Sequence, residues 1–253
     1  MLVTLGSNQN IAAGASQTFQ YACNSAQKIF IRVDDDGTDA NDAYVTVQIG
    51  NDVILNDIRL SALALISLIN EGGGSPANTD CFAAIDIGSH VLDPLENLYV
   101  TIRATAAITA VDVSAIVNEG GVYSPLKWTN YSDNVFTDTN TLSIYAWSAV
   151  GGSLDDDVSA FTVRNQSYSA TPQVQSGCNV TKTMTTDSAS ADRISYLAKN
   201  QVPLDTSVNH DSTTITGVIC ISAMSKSQSK ASASKKAGQA VLSSMTSSER
   251  KAL

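Results

Sequence analysis

An all-β fold, laid out as two successive sets of short strands, is what this sequence predicts. Three observations carry the prediction. Apolar and polar residues alternate with period two in many short runs, the pattern of strands with one buried face. Turn-forming residues separate those runs at the spacing expected of sandwiches or barrels. The composition is 43% hydrophobic but only 15% charged, against a usual charged share of about 25%. That apolar share suffices for a core and excludes disorder along most of the 253 residues.

Thr18–Ala22 and Lys28–Val33 are the first strand candidates. Tyr44–Ile49 follows, with Val45, Val47 and Ile49 on one face and Tyr44, Thr46 and Gln48 on the other. Gly50-Asn51-Asp52 turns the chain into Val53–Leu55, which makes a hairpin. A helix comes next, capped by Asn56 or Asp57, with Leu60, Leu63, Ile66 and Ile69 on one side and Gly72-Gly73-Gly74 ending it. Cys81–Ile87 is an apolar strand. Leu98, Val100 and Ile102 alternate with polar neighbours, as do Val111, Val113 and Ala115.

Asn118-Glu119-Gly120-Gly121 marks a boundary, giving a first domain of residues 1–118 and a second of 122–224. Tyr123–Thr141 reads as polar and turn-like. Strands resume in Leu142–Val150, Val158–Val163 and Thr213–Ala223, and Ala191–Lys199 reads as a short helix. Pro172–Thr186 is too rich in Ser, Thr and Gly for strands to be placed in it. Both halves follow a loose order of strand pair, helix and final strand pair, which suggests a duplication although their sequences do not align. Residues 225–253 form a Ser/Lys-rich tail, with a last helix at Ala237–Met245.

The net charge of −9 is unevenly spread. Residues 226–251 carry six basic groups and one acid, so the tail is basic and the body strongly acidic. Any contact with a polyanion therefore belongs to the tail, through Lys226, Lys230, Lys235 and Lys236. The longest apolar stretch, Ile58–Ile69, is broken by Arg59, Ser61 and Ser67, too short to span a bilayer. Met1–Ile11 has no basic leader pattern, which predicts no secretory signal and a reducing compartment. Cys23, Cys81, Cys178 and Cys220 are then expected to be free thiols.

Residues for catalysis are scarce. His90 and His210 are the only histidines, both read as loop residues, and no nucleophile elbow or phosphate loop accompanies them. The expectation is a protein that is not an enzyme. One acidic stretch, Asp34 to Asp42, offers Asp34, Asp36, Asp39 and Asp42 around Gly37 as weak calcium ligands. It lacks the glutamate at position 12 of a full calcium loop, Val45 standing there, so a solvated loop remains the other reading.

Residues 8–118 resemble a known family. Asn10-Ile11-Ala12-Ala13-Gly14, the strand Val45–Ile49 with its Gly50 turn, the Ile/Leu-rich helix Asp57–Ile69, the strand Cys81–Ile87, the loop through Pro94 and the pair Asn97–Ala104 and Ala110–Val117 come in this order. The series resembles the N-terminal jelly roll of the major capsid proteins of corticovirus-like tailless icosahedral phages. The resemblance implies two jelly rolls in one chain, and the helices read above put a short one in each. It also implies trimers that tile an icosahedral shell beside other capsid proteins, over an internal membrane. Virion localisation follows, with the tail facing lipid or packaged genome. The alternative is a single jelly roll with an accessory domain, acting as a penton, spike or glycan- or receptor-binding module. Trp128 and Trp147 are the only tryptophans available to such a binder.

Overall fold

The first strand to leave the alternating pattern is also the first in the chain. β1 (Leu2–Ile11) is polar and buries only Ile11 at its end. The tight turn at Ala12–Ala15 reverses it, with Gly14 at a φ of +73° and its amide donating to the Ala104 carbonyl at 2.9 Å. β2 (Ser16–Ala22) and β3 (Ser25–Asp34) follow, then the hairpin of β4 (Ala43–Ile49) and β5 (Asp52–Arg59), turned at Gly50. Helix α1 (Leu60–Glu71), β6 (Asp80–Val91), β7 (Asn97–Ala104) and β8 (Ile108–Val117) complete the first half. The computed structural model describes residues 1–34, 42–71, 80–93, 96–120, 123–132, 135–136, 140–148, 161–165, 173–175, 180–185, 193–197, 206–210 and 217–224.

Pairing within this half makes two four-stranded sheets, in the orders β1-β8-β3-β6 and β2-β7-β4-β5. Each strand pairs across the fold and not with its chain neighbour, except in the β4–β5 hairpin, which is the wrapping of a jelly roll. The alternation in the sequence fixes which faces are buried. Val45, Val47, Leu98, Val100, Ile102, Val111, Val113 and Ala115 are fully buried, together with Ile29, Ile31 and Val33 of β3.

The second half repeats the plan. β9 (Ser124–Tyr131), β10 (Val135–Phe136), β11 (Thr141–Ser148), β12 (Phe161–Asn165) and β13 (Gln173–Gln175) come first. β14 (Val180–Thr185), β15 (Arg193–Leu197), β16 (Thr206–His210) and β17 (Gly217–Ala223) follow. Their orders are β9-β17-β11-β15 and β10-β16-β12-β13, the same permutation as in the first half, with β14 added outside β15. All pairs in both halves are antiparallel. Met1–Ala223 form one compact unit.

Four expectations are corrected. The helix does not start from a cap at Asn56 or Asp57: strand β5 runs on to Arg59, and Asp57 instead takes a φ of +48° with its amide donating to the Thr46 hydroxyl at 3.0 Å. Tyr123–Thr141 is not turn-like but holds β9 and β10. Ala191–Lys199 is not a helix: β15 lies there, with Ile194 opposite Trp147 and Met184. A nine-residue segment cannot sustain a helix by itself, and Ile194 and Tyr196 favour a ladder once neighbours offer one. Pro172–Thr186 carries β13 and β14 despite its small polar residues. The tail helix at Ala237–Met245 lies outside the described residues.

Candidate functional site

The most constructed place on the described surface is the seam between the two rolls. β9, the first strand of the second roll, lies along the first roll's edges. Gly88 and Ser89 of β6 stand opposite Pro125 and Ser124, and Leu55 of β5 stands beside Trp128 in a parallel bridge. Gly88 permits this approach because its φ is +71° and because a Cβ there would fall 2.1 Å from the Ser124 carbonyl oxygen. The Trp128 indole is buried and donates its N–H to the Asp86 carbonyl at 2.8 Å. A bulky side chain of the second roll thereby closes the side of the first.

His90 sits in this seam. It belongs to β6 and is 5% exposed, which corrects the reading of a solvated loop residue. Its Nε2 lies 3.3 Å from the Leu126 carbonyl, a group that only accepts, so that nitrogen carries hydrogen. Burial holds its pKa below the usual histidine value, against smaller upward pulls from the Leu126 and Ile87 backbone and from Asp52. A buried neutral imidazole with its Nε2–H on the Leu126 carbonyl serves the packing of the seam. His210 is likewise not a loop residue but the last residue of β16, opposite Phe161.

Two polar clusters fasten the outer faces of the first roll. The Asp112 carboxylate accepts from the Ser7 hydroxyl at 2.7 Å and the Asn8 amide at 2.8 Å, and Arg32 lies 3.6 Å away. These donors hold its pKa below the usual carboxylate range, the Ser7 hydroxyl most. On the other sheet Arg103 grips Asp57 with two N–H bonds of 3.0 and 2.9 Å and stacks 4.3 Å from the centre of the Tyr44 ring. The outer face of β3 and β6 also carries the stacked pair Phe30 and Phe82, with ring centres 5.9 Å apart.

The residues singled out in the sequence fall partly outside the description. Asp36, Asp39, Lys226, Lys230, Lys235 and Lys236 are not among the described residues, and neither is Cys178; Cys81 lies in β6, with its Cα opposite that of Val33. Asp34 ends β3, with its Cα opposite that of Asp80, and the Asp42 carboxylate accepts from the Thr105 hydroxyl at 2.6 Å. Among the described residues, no group of three or more His, Cys, Asp or Glu side chains gathers to hold a metal. Cys23 and Cys220 are buried free thiols. Sequence reasoning missed the seam. Its one signal was Gly88 inside an apolar strand, a glycine that marks close backbone approach.

Among the described residues no helix is long and apolar enough to cross a membrane. The sequence matches no family model and no curated protein. Solved structures do match. The crystal structure of the STIV MCP is similar at a TM-score of 0.55 and 9% identity, covering 88% of this chain and 95% of that one. The major capsid protein P2 from bacteriophage PM2 is similar at a TM-score of 0.51 and 13% identity, over 89% of this chain and 98% of that one. The atomic structure of Sulfolobus turreted icosahedral virus matches at 0.55 and 9% identity, over 88% and 89%. At such identities the likeness speaks for the fold, and the doubled strand order found here agrees with it. The chain has the double jelly-roll fold of viral major capsid proteins, and the corticovirus-like resemblance read from residues 8–118 has its counterpart among them in P2.

Proposed function

We propose that this chain is a structural capsid protein, three copies of which form one tile of an icosahedral shell over an internal membrane. The observation that carries the reading is the jelly-roll strand order occurring twice in one chain, in a fold shared with P2 and the STIV MCP over nearly its whole length. Its chemistry is of the same kind. The polar groups described on its outer faces fasten strands to one another, as Asp112 and Arg103 do, and the work of such a protein is to hold shape and make contacts. The acidic body and basic tail then divide the labour: the sheets meet other capsid proteins, and Lys226, Lys230, Lys235 and Lys236 meet anionic lipid headgroups or packaged genome. Asp34, Asp36, Asp39 and Asp42 would hold a divalent cation weakly in the loop after β3. Light scattering on the purified chain tests the reading. A mass near 80 kDa, three times 26.5 kDa, is expected, and a monomer at every concentration would remove it.

A further inference from the structure

The junction of the two rolls is held by a short stretch of backbone. Its ladder consists of Gly88 and Ser89 opposite Pro125 and Ser124, with Leu55 beside Trp128, whereas β9 pairs with β17 from Leu126 to Tyr131. Pro125 has no amide hydrogen to give. Side chains therefore carry much of the attachment, and they cross the junction in both directions. The His90 imidazole of the first roll donates to the Leu126 carbonyl of the second, and the Trp128 indole of the second donates to the Asp86 carbonyl of the first. Both rings are buried. Of these two donors, only the imidazole changes its charge between about pH 5 and 8.

The surroundings of His90 do not suit a cation. β3 places Ala26 opposite it, and β9 brings the Leu126 carbonyl, with the exposed Lys127 next along the strand. β6 itself adds the Ile87 backbone and Asp86, whose carboxylate is taken by the Gly88 amide at 2.7 Å. The β4–β5 turn brings Asp52, whose negative charge pulls on the ring, but that pull is weaker than the cost of holding a charge away from water. An imidazolium is better served with the junction open, where water reaches it. We infer that the β6–β9 junction is an acid-released joint: protonation of His90 parts β9 from β6 while each roll keeps its own core. The core of the first roll does not depend on the joint, since β3, β4, β7 and β8 bury their apolar faces within that roll. Acid thus raises the population of molecules open at this one place.

The indole N–H of Trp128 exchanges with solvent when the junction opens, and nuclear magnetic resonance on the full chain reads its rate. Relative to free tryptophan amide at the same pH, its protection should fall at least about threefold between about pH 7 and 5. The ceiling is about thirtyfold, set by the roughly 1.5 pH units below the open-state value of about 6.5. Its protection should also stay at least about tenfold below that of the β4 amides in the core of the first roll. His90→Gln should abolish the fall. If that variant does not fold, Asp52→Asn carries the test and should deepen the fall, because the pull on the imidazolium is lost. Protection that does not change with pH would overturn the joint, as would a full-sized fall in folded H90Q or an undeepened one in D52N. Protection equal to that of the β4 amides would overturn it too, since the indole would then exchange only through unfolding of the whole chain.

Discussion

Gly88 shows what a single residue contributes here, because both its conformation and its missing side chain are used. Alanine would meet the Ser124 carbonyl and would hold a left-handed φ that costs about 1–3 kcal/mol outside glycine. Since the obstructing atom is backbone, β9 must move as well. Gly88→Ala should lower the thermal midpoint by at least about 4 °C, given roughly 2–4 °C per kcal/mol in a unit of this size. Scanning calorimetry checks it, and an unchanged midpoint would mean that the seam yields freely. His90, two residues on, sets a pH dependence. Its folded pKa lies below its unfolded value of about 6.5, so the unfolded chain takes up its proton first as the solution is acidified. The stability tied to the neutral ring is therefore complete above about pH 6.5 and declines below it. His90→Gln should flatten that acid-side decline below about pH 6.5 in denaturant titrations. A slope identical to that of the parent would place the dependence elsewhere.

At the scale of elements, α1 covers an edge of β6. The Ser67 hydroxyl donates within hydrogen-bond distance of the Leu63 and Ala84 carbonyls, at 2.8 and 3.0 Å, and accepts from the Ala84 amide at 2.8 Å. One buried side chain thus replaces the strand that would otherwise satisfy Ala84. Ser67→Ala leaves both backbone groups short of a partner and should cost about 2 kcal/mol, measured by chemical denaturation; a loss under about 0.5 kcal/mol would show that they find another. The loop from Asp34 to Asp42 has its own test. Its carboxylates repel, so millimolar calcium should raise the thermal midpoint relative to chelator, and coincident melts would leave it a solvated loop. Legibility also divides by element. β4, β7 and β8 were readable because each buries every second residue against the opposite sheet. β9 was not, since it buries Pro125 and Trp128, three apart, against the other roll. β1 hides its role differently: a Cβ on Gly6 would fall 2.2 Å from the buried Phe19 ring, which fills the space an apolar side chain of β1 would occupy.

For the whole molecule, the doubling is written in pairing order more plainly than in sequence. With β14 left out of the count, two halves that do not align still place first, eighth, third and sixth strands side by side, and β14 stands in the second roll between β13 and β15 where α1 stands in the first between β5 and β6. Order of this kind comes from contacts between residues far apart in the chain, which no local window contains. The tail belongs to this scale as well. A chain truncated after Met224 should melt within about 2 °C of the full protein, since Met1–Ala223 group as one unit, yet fail to build complete particles. Electron microscopy of particles with normal membrane and genome content would refute the assembly role. The seam has one more consequence. Asn118, which closes β8, accepts the Asn24 amide through its side chain at 2.7 Å and donates its own amide to the Ser25 carbonyl at 2.9 Å, and β9 is locked to β6 within a few residues of it. The described residues on both flanks of this junction are thus pinned. On the proposed reading Met1–Ala223 would move as one stiff unit, and a closed surface assembled from such units must take its curvature, and any swelling under internal pressure, in the gaps between molecules.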